Sequence, residues 1–154
     1  MEEIWTPWRM RFITSHERNA GECVFCTILE RDPRHVLARS PHVYVVLNLY
    51  PYTPGHVLVI PHRHVARLGE LMTEEIDGLT RAIDETERIL RRTLGTELIH
   101  VGFNLGRAAG AGIEGHLHAH LVPRGVDAPA AEGPDLDALH RRLAPEFAAE
   151  LRPA

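Results

Sequence analysis

Three histidines in strict alternation, His116, His118 and His120, are the residues of this chain whose type and spacing most directly offer chemistry. Leu117 and Ala119 separate them, and Leu121-Val122-Pro123-Arg124 follows. An apolar residue at every second position marks a half-buried strand, and alternate side chains of a strand share one face about 6.5–7 Å apart. The pattern therefore predicts a row of imidazoles on one face, with Leu117, Ala119 and Leu121 packed on the other. Each ring can act as a base near neutral pH, a donor, an acceptor, a nucleophile or a metal ligand. Spacing alone leaves catalysis and metal binding both open, because histidines at i and i+2 of a strand can also share one ion. Accidental alternation among the eleven histidines is the third reading.

The cysteines number two, Cys23 and Cys26 in a Cys-x-x-Cys spacing. Half of a zinc site, a redox pair and two buried small residues are the readings open to them. Redox chemistry fits less well, since such a dithiol opens a helix after a strand in a βαβ unit. The flanking Gly21-Glu22 and the enclosed Val24-Phe25 announce no such unit.

At 154 residues and 44% hydrophobic composition the chain is long enough for one domain with its own core. Seventeen Lys and Arg against twenty-one Asp and Glu give a net charge of −4, which argues against a long nucleic-acid partner. No apolar run approaches the roughly 20 residues that span a bilayer, and Met1-Glu2-Glu3 lacks the basic start of a signal peptide, so the expectation is a cytoplasmic protein without membrane contact.

The elements that must position the histidines follow from local pattern. Residues 23–31 read as a short helix ended by Asp32-Pro33. Val36-Leu37-Ala38 and Val43 to Asn48 read as a hairpin across Arg39-Ser40-Pro41-His42, and His56 to Ile60 returns as a strand after the rigid Pro51, Pro54 and Gly55 loop. Thr73 to Leu94 reads as an amphipathic helix capped by Thr73, with Ile76, Leu79, Ile83, Leu90 and Leu94 on its inner face and Gly95 beyond its end. Leu98 to Asn104 reads as a strand. Gly102, Gly106, Gly110 and Gly112 then make a loop whose successive N–H groups suit a phosphate. Beyond Arg124, residues 125–134 read as a linker, and Leu136, Leu139, Leu143 and Phe147 as a helix interrupted near Pro145. Trp5, Trp8, Phe12 and Ile13 make an N-terminal arm that packs its aromatics on the domain or a second subunit, with base stacking as the alternative.

The segment His116-Leu117-His118-Ala119-His120-Leu121-Val122 resembles the His-x-His-x-His-x-x signature, x apolar, of the histidine triad superfamily of nucleotide hydrolases and transferases. The likeness extends to the stretch from Asn48-Leu49-Tyr50-Pro51-Tyr52 through Gly55-His56 to Ile60-Pro61, and to Asn104-Leu105-Gly106. Trp5-Thr6-Pro7-Trp8-Arg9-Met10 is similar to the opening of a bacterial branch that looks like diadenosine tetraphosphate phosphorylase, so resemblance covers residues 4–124.

That resemblance implies an α+β fold: an antiparallel sheet of about five strands with one long helix and short terminal helices, in a homodimer. It divides the chain into an arm at 1–22, the histidine triad (HIT) domain at 23–124, and a linker and helix at 125–154. It implies cleavage of a phosphoanhydride in a dinucleoside tri- or tetraphosphate through a nucleotidyl-histidine on His118, the middle ring, with no divalent metal required for the chemistry. His120 and His56 would hold phosphate oxygens or share protons with the leaving group. Asn48 would meet the ribose, Asn104 and Gly112 the phosphates, and Leu49, Tyr50 or Ile60 would wall the base. It further implies structural zinc on Cys23, Cys26, His64 and His116, with His116 open to a second role in orienting His118. An adenosine phosphoramidate hydrolase and a zinc-stabilised nucleotide-binding module are the alternatives. The chain departs from its relatives at Gly112-Ile113-Glu114-Gly115, where a Gln, Ser or Thr donor is usual, and after Arg124, where Trp and a Gly-Asp-x-Asn-Phe segment are absent. Glu114 is expected to face solvent, because a carboxylate beside a phosphate is repelled.

Overall fold

The computed structural model describes residues 22–109, 111–126 and 134–150. The expected arm around Trp5 and Trp8 and most of the expected linker lie outside them. Runs of β-branched residues build a five-stranded antiparallel sheet in the order β1-β2-β3-β5-β4. Its strands are β1 (Val36–Arg39), β2 (Val43–Leu47), β3 (Val57–Pro61), β4 (Ile99–Phe103) and β5 (Ala119–Pro123). Every residue of β2, β3 and β5 is buried, which requires both sheet faces to be covered.

On one face Val45, Val59, Ala119 and Leu121 pack beneath helix α2 (Thr73–Leu94) and helix α3 (Leu136–Glu150). On the other, Tyr44, Val46, Leu58 and Ile60 receive Phe25 and Ile28 of helix α1 (Val24–Arg31), and the Tyr44 hydroxyl donates to the Phe25 carbonyl at 2.7 Å. Helix α3 runs unbroken through Pro145, contrary to the expected interruption. Leu143 and Phe147, one on each side of the proline, are both fully buried and anchor the two halves to the core. Phe147→Ala is expected to cost about 3–5 kcal/mol in urea unfolding, the range for truncating a buried aromatic.

Helix α2 occupies the predicted span, and of its expected inner face Leu79, Ile83, Leu90 and Leu94 lie in or against the core while Ile76 does not. Leu79, Ala82, Thr86, Ile89 and Leu90 are buried, Ile76 is 43% exposed, and Glu75 lies inside. Met72, not Thr73, holds the N-cap position. Glu75 accepts from the Met72 N–H at 2.8 Å and takes a two-pronged bond from the Arg63 guanidinium at 2.9 and 2.6 Å. A charged carboxylate tolerates this position because each oxygen has a donor. The Arg63 bonds come first among the causes that lower its pKa to about 2 from an ordinary 4.5. Its folded-state pKa lies below its unfolded one, so its stabilisation is full above about pH 4.5 and disappears as pH falls toward about 2. Glu75→Gln is therefore expected to lower the thermal midpoint at neutral pH, and the gap to the parent should close across that acid window. A gap independent of pH would refute the assignment.

The histidine segment is shifted from the expected strand. Strand β5 starts at Ala119, and His116, Leu117 and His118 precede it. Strand β3 ends at Pro61, and the Leu117 N–H turns to the Val65 carbonyl at 2.6 Å instead of a ladder partner. The alternation survives: Leu117, Ala119 and Leu121 all enter the helix-covered core. No helix among the described residues is long and apolar enough to cross a membrane.

Candidate active site and metal cluster

The chain turns the three histidines toward the α1 side of the sheet. His120 pairs across the sheet with Leu58 on one flank and Gly102 on the other. His118 is only 6% exposed. Its Nδ1 lies 2.7 Å from the His116 carbonyl oxygen, an acceptor only, so Nδ1 carries the proton and Nε2 keeps its lone pair. Burial holds the His118 pKa below the usual imidazole value, opposed by the bond to the His116 carbonyl, so the ring is neutral at pH 7. His118 and His120 stand at a largely apolar cleft together with Asn48, Leu49, Tyr50 and Gly112.

A second chain of bonds runs behind His120. The Tyr52 backbone N–H donates to Nδ1 of His56 at 3.1 Å, so the neutral His56 ring has its proton on Nε2. That proton points at Nδ1 of His120, 2.9 Å away, leaving the His120 proton on Nε2. Nδ2 of Asn104, itself a donor, stays 3.5 Å from that Nε2. His56 is fully buried and stacks on Tyr52 at 5.0 Å. Asn48 accepts from the Tyr50 N–H at 2.9 Å and turns its amide nitrogen toward the His56 ring at 3.3 Å. Two adjacent imidazoles thus face the cleft in complementary states: His118 with a lone pair, His120 with a proton.

Cys23, Cys26, His64 and His116 offer ligand atoms that all lie within 4.8 Å of one another. Nδ1 of His116 is 3.4 Å from Sγ of Cys23 and 3.6 Å from Sγ of Cys26, and Nδ1 of His64 is 3.2 Å from Sγ of Cys26. Tetrahedral zinc with bonds of about 2.3 Å to sulfur and about 2.0 Å to nitrogen separates such atoms by roughly 3.5 Å. Nε2 of His116 donates to the Pro61 carbonyl at 2.9 Å, which leaves Nδ1 unprotonated, the form a metal requires. Burial, ahead of the neighbouring histidines, also holds the His116 pKa low. The four residues fit a zinc ion.

A family model described as the HIT domain matches residues 30–126, well over half of the chain. The chain belongs to the HIT family. This HIT protein is 36% identical over 133 residues to an AP-4-A phosphorylase of Mycobacterium tuberculosis, an alignment covering 80% of this chain and 68% of that one. It is 28% identical to the adenosine 5'-monophosphoramidase HNT1 of Candida albicans, covering 83% and 93% respectively. Among solved structures, a Zn-bound histidine triad family protein from Mycobacterium smegmatis superposes with a TM-score of 0.70 at 28% identity, covering 83% of this chain and 94% of the other.

The cleft of this HIT protein also has walls that sequence reasoning did not supply. Val24, Phe25 and Ile28 of α1, with Val46, Leu58 and Ile113, line its apolar side. The signal was present in the apolar positions at 24, 25 and 28 of the helix that starts at the Cys-x-x-Cys. Of the three expected wall residues, Leu49 and Tyr50 line the cleft. Ile60 does not: it is fully buried beneath Phe25 and Ile28, because its place in β3 directs it into the sheet's second core. Glu114 is exposed, as expected.

Proposed function

We propose that this HIT protein cleaves a phosphoanhydride of a dinucleoside polyphosphate, of the diadenosine tri- or tetraphosphate type, through a nucleotide carried on His118. The observation that carries the reading is the His118 ring, with Nδ1 committed to the His116 carbonyl at 2.7 Å and Nε2 left to the cleft. The Nε2 lone pair attacks the α-phosphorus. A P–N bond forms, the α-phosphorus to bridging-oxygen bond breaks, and the electron pair leaves on the departing nucleoside polyphosphate. The Nε2–H of His120 donates a hydrogen bond to that oxygen, which leaves as a polyphosphate anion, and in the second step water or inorganic phosphate displaces the nucleotide, releases any proton it carries to solvent and returns the lone pair to His118. The base lies against Phe25, Ile28 and Leu49, the ribose against Asn48, and the phosphates near Gly112 and Asn104.

Diadenosine tetraphosphate with and without inorganic phosphate tests the reading. ADP plus ATP reports phosphorolysis, to which the resemblance to the AP-4-A phosphorylase lends support. AMP plus ATP reports hydrolysis, and no product from any dinucleoside polyphosphate ends the proposal. The similarity to the monophosphoramidase supports a second reading, cleavage of a P–N bond in an adenosine phosphoramidate by the same two steps. Turnover of those substrates alone would select it. Tight AMP binding with no turnover would leave a zinc-stabilised nucleotide-binding module.

The metal in this reading is structural zinc on Cys23, Cys26, His64 and His116, and the site of action is the cytoplasm. The protein works as a homodimer. Strand β4 is an edge of the sheet, and Leu98 just before it and Val101 on it, 64% and 42% exposed, offer a surface that a second copy can cover. Light scattering that returns a monomer mass at micromolar concentration would refute the dimer.

A further inference from the structure

Helix α1 belongs to two sites at once. Cys23 holds its N-cap position and Cys26 lies in its first turn, while Val24, Phe25 and Ile28 of the same eight residues line the cleft. Phe25, between the two cysteines, meets the His116 ring edge-on at 5.7 Å and the His118 ring at 5.0 Å. A helix of this length is marginal by itself, and the Cys23 side chain forms no capping hydrogen bond. Among the described residues, polar ties from α1 to the sheet come from Tyr44, bonded to the Phe25 carbonyl at 2.7 Å, and Arg39, bonded to the Leu29 carbonyl at 3.2 Å. The sulfur atoms meet His64 and His116, which come from elsewhere in the chain. Cys26 and His64 are exposed, so an ion held there is reachable from solution.

We propose that Cys23, Cys26, His64 and His116, when gathered on one zinc ion, set the affinity of the cleft for its nucleotide by clamping α1 in place. The inference rests on the nucleotide reading of the cleft and assigns that site a regulator, the availability of zinc. With the ligands closed on the ion, Val24, Phe25 and Ile28 form a fixed wall. With the ligands released, Tyr44 still holds the Phe25 carbonyl and Arg39 the Leu29 carbonyl, but Cys23 and Cys26 lose their cross-links to His64 and His116, α1 is held less firmly, and a nucleoside must spend part of its binding energy on fixing it. Binding of the two ligands is then coupled, and coupling between sites is reciprocal.

The probes are AMP and zinc. AMP is titrated by calorimetry into zinc-loaded and chelator-stripped protein, with circular dichroism to verify that the sheet persists. Separately, the zinc affinity of the folded, loaded protein is measured by chelator competition with and without saturating AMP. Stripped protein is expected to bind AMP at least about tenfold more weakly, and AMP to tighten zinc by the same factor. If stripping unfolds the chain, the competition arm still decides. Equal zinc affinity with and without AMP overturns the coupling while the nucleotide site stands. Failure of AMP to bind the loaded protein overturns both.

Discussion

His118→Ala will abolish turnover, by a factor on the order of 10⁴ or more, while AMP still binds within a few-fold of the parent. The size follows from the role: a covalent nucleophile has no understudy, and removing one from a preorganised site has cost on the order of 10⁶ elsewhere. His120 cannot substitute, because its Nε2 carries the proton and its Nδ1 is already taken by His56 at 2.9 Å. His120→Ala removes a hydrogen-bond donor only, and a smaller loss of roughly 10²–10³ is expected. The contrast separates this reading from one in which the histidines merely bind phosphate. There both variants would lose affinity together and neither would lose turnover selectively. Rapid quenching of the parent with diadenosine tetraphosphate, followed by mass mapping, should place one nucleotidyl group on His118. A variant that retains activity, or a nucleotide found on another side chain, would refute the mechanism.

What was legible in the sequence is what has a short period. The alternation at 116–121 placed Leu117, Ala119 and Leu121 in the core, because a strand repeats every two residues whether or not it is fully paired. The bounds of α2 were legible from Gly95, which takes the left-handed conformation at its end with φ of 70°. Its phase was legible at Leu79, Ile83, Leu90 and Leu94 but not at Ile76. Periodicity placed Ile76 inward, yet the Arg63 guanidinium supplies two donors that let Glu75 go in and leave Ile76 outside. Partners distant in sequence were harder still. His56 and His120 are 64 positions apart, and the bond that sets their tautomers starts from a backbone N–H, which carries no side-chain signature. His64 and His116 were assigned to the cysteines by resemblance alone, since no spacing rule joins residues 38 and 93 positions distant.

Purified protein will carry one zinc per chain, and Cys23→Ser/Cys26→Ser will carry none and melt roughly 6–12 °C lower. The ligands come from three separate segments: the start of α1, the loop after β3, and the residues just before β5. An ion that joins them removes freedom from the unfolded chain over long loops and fixes a helix of eight residues that propensity alone leaves marginal. Structural zinc contributes about 10–16 kcal/mol where it organises a whole peptide. Here two large apolar clusters fold the sheet without it. A share of about 3 kcal/mol is therefore expected, and 1 kcal/mol moves the midpoint of a domain this size by about 2–4 °C. Loss of the ion also leaves two thiols and a buried His116 whose Nδ1 faces sulfur rather than water. The double serine variant cannot repair this, because a hydroxyl binds zinc far less well than a thiolate and restores no cross-link. Native protein free of metal by elemental analysis, or a chelator-treated sample with an unchanged midpoint, would exclude the zinc site whatever its geometry.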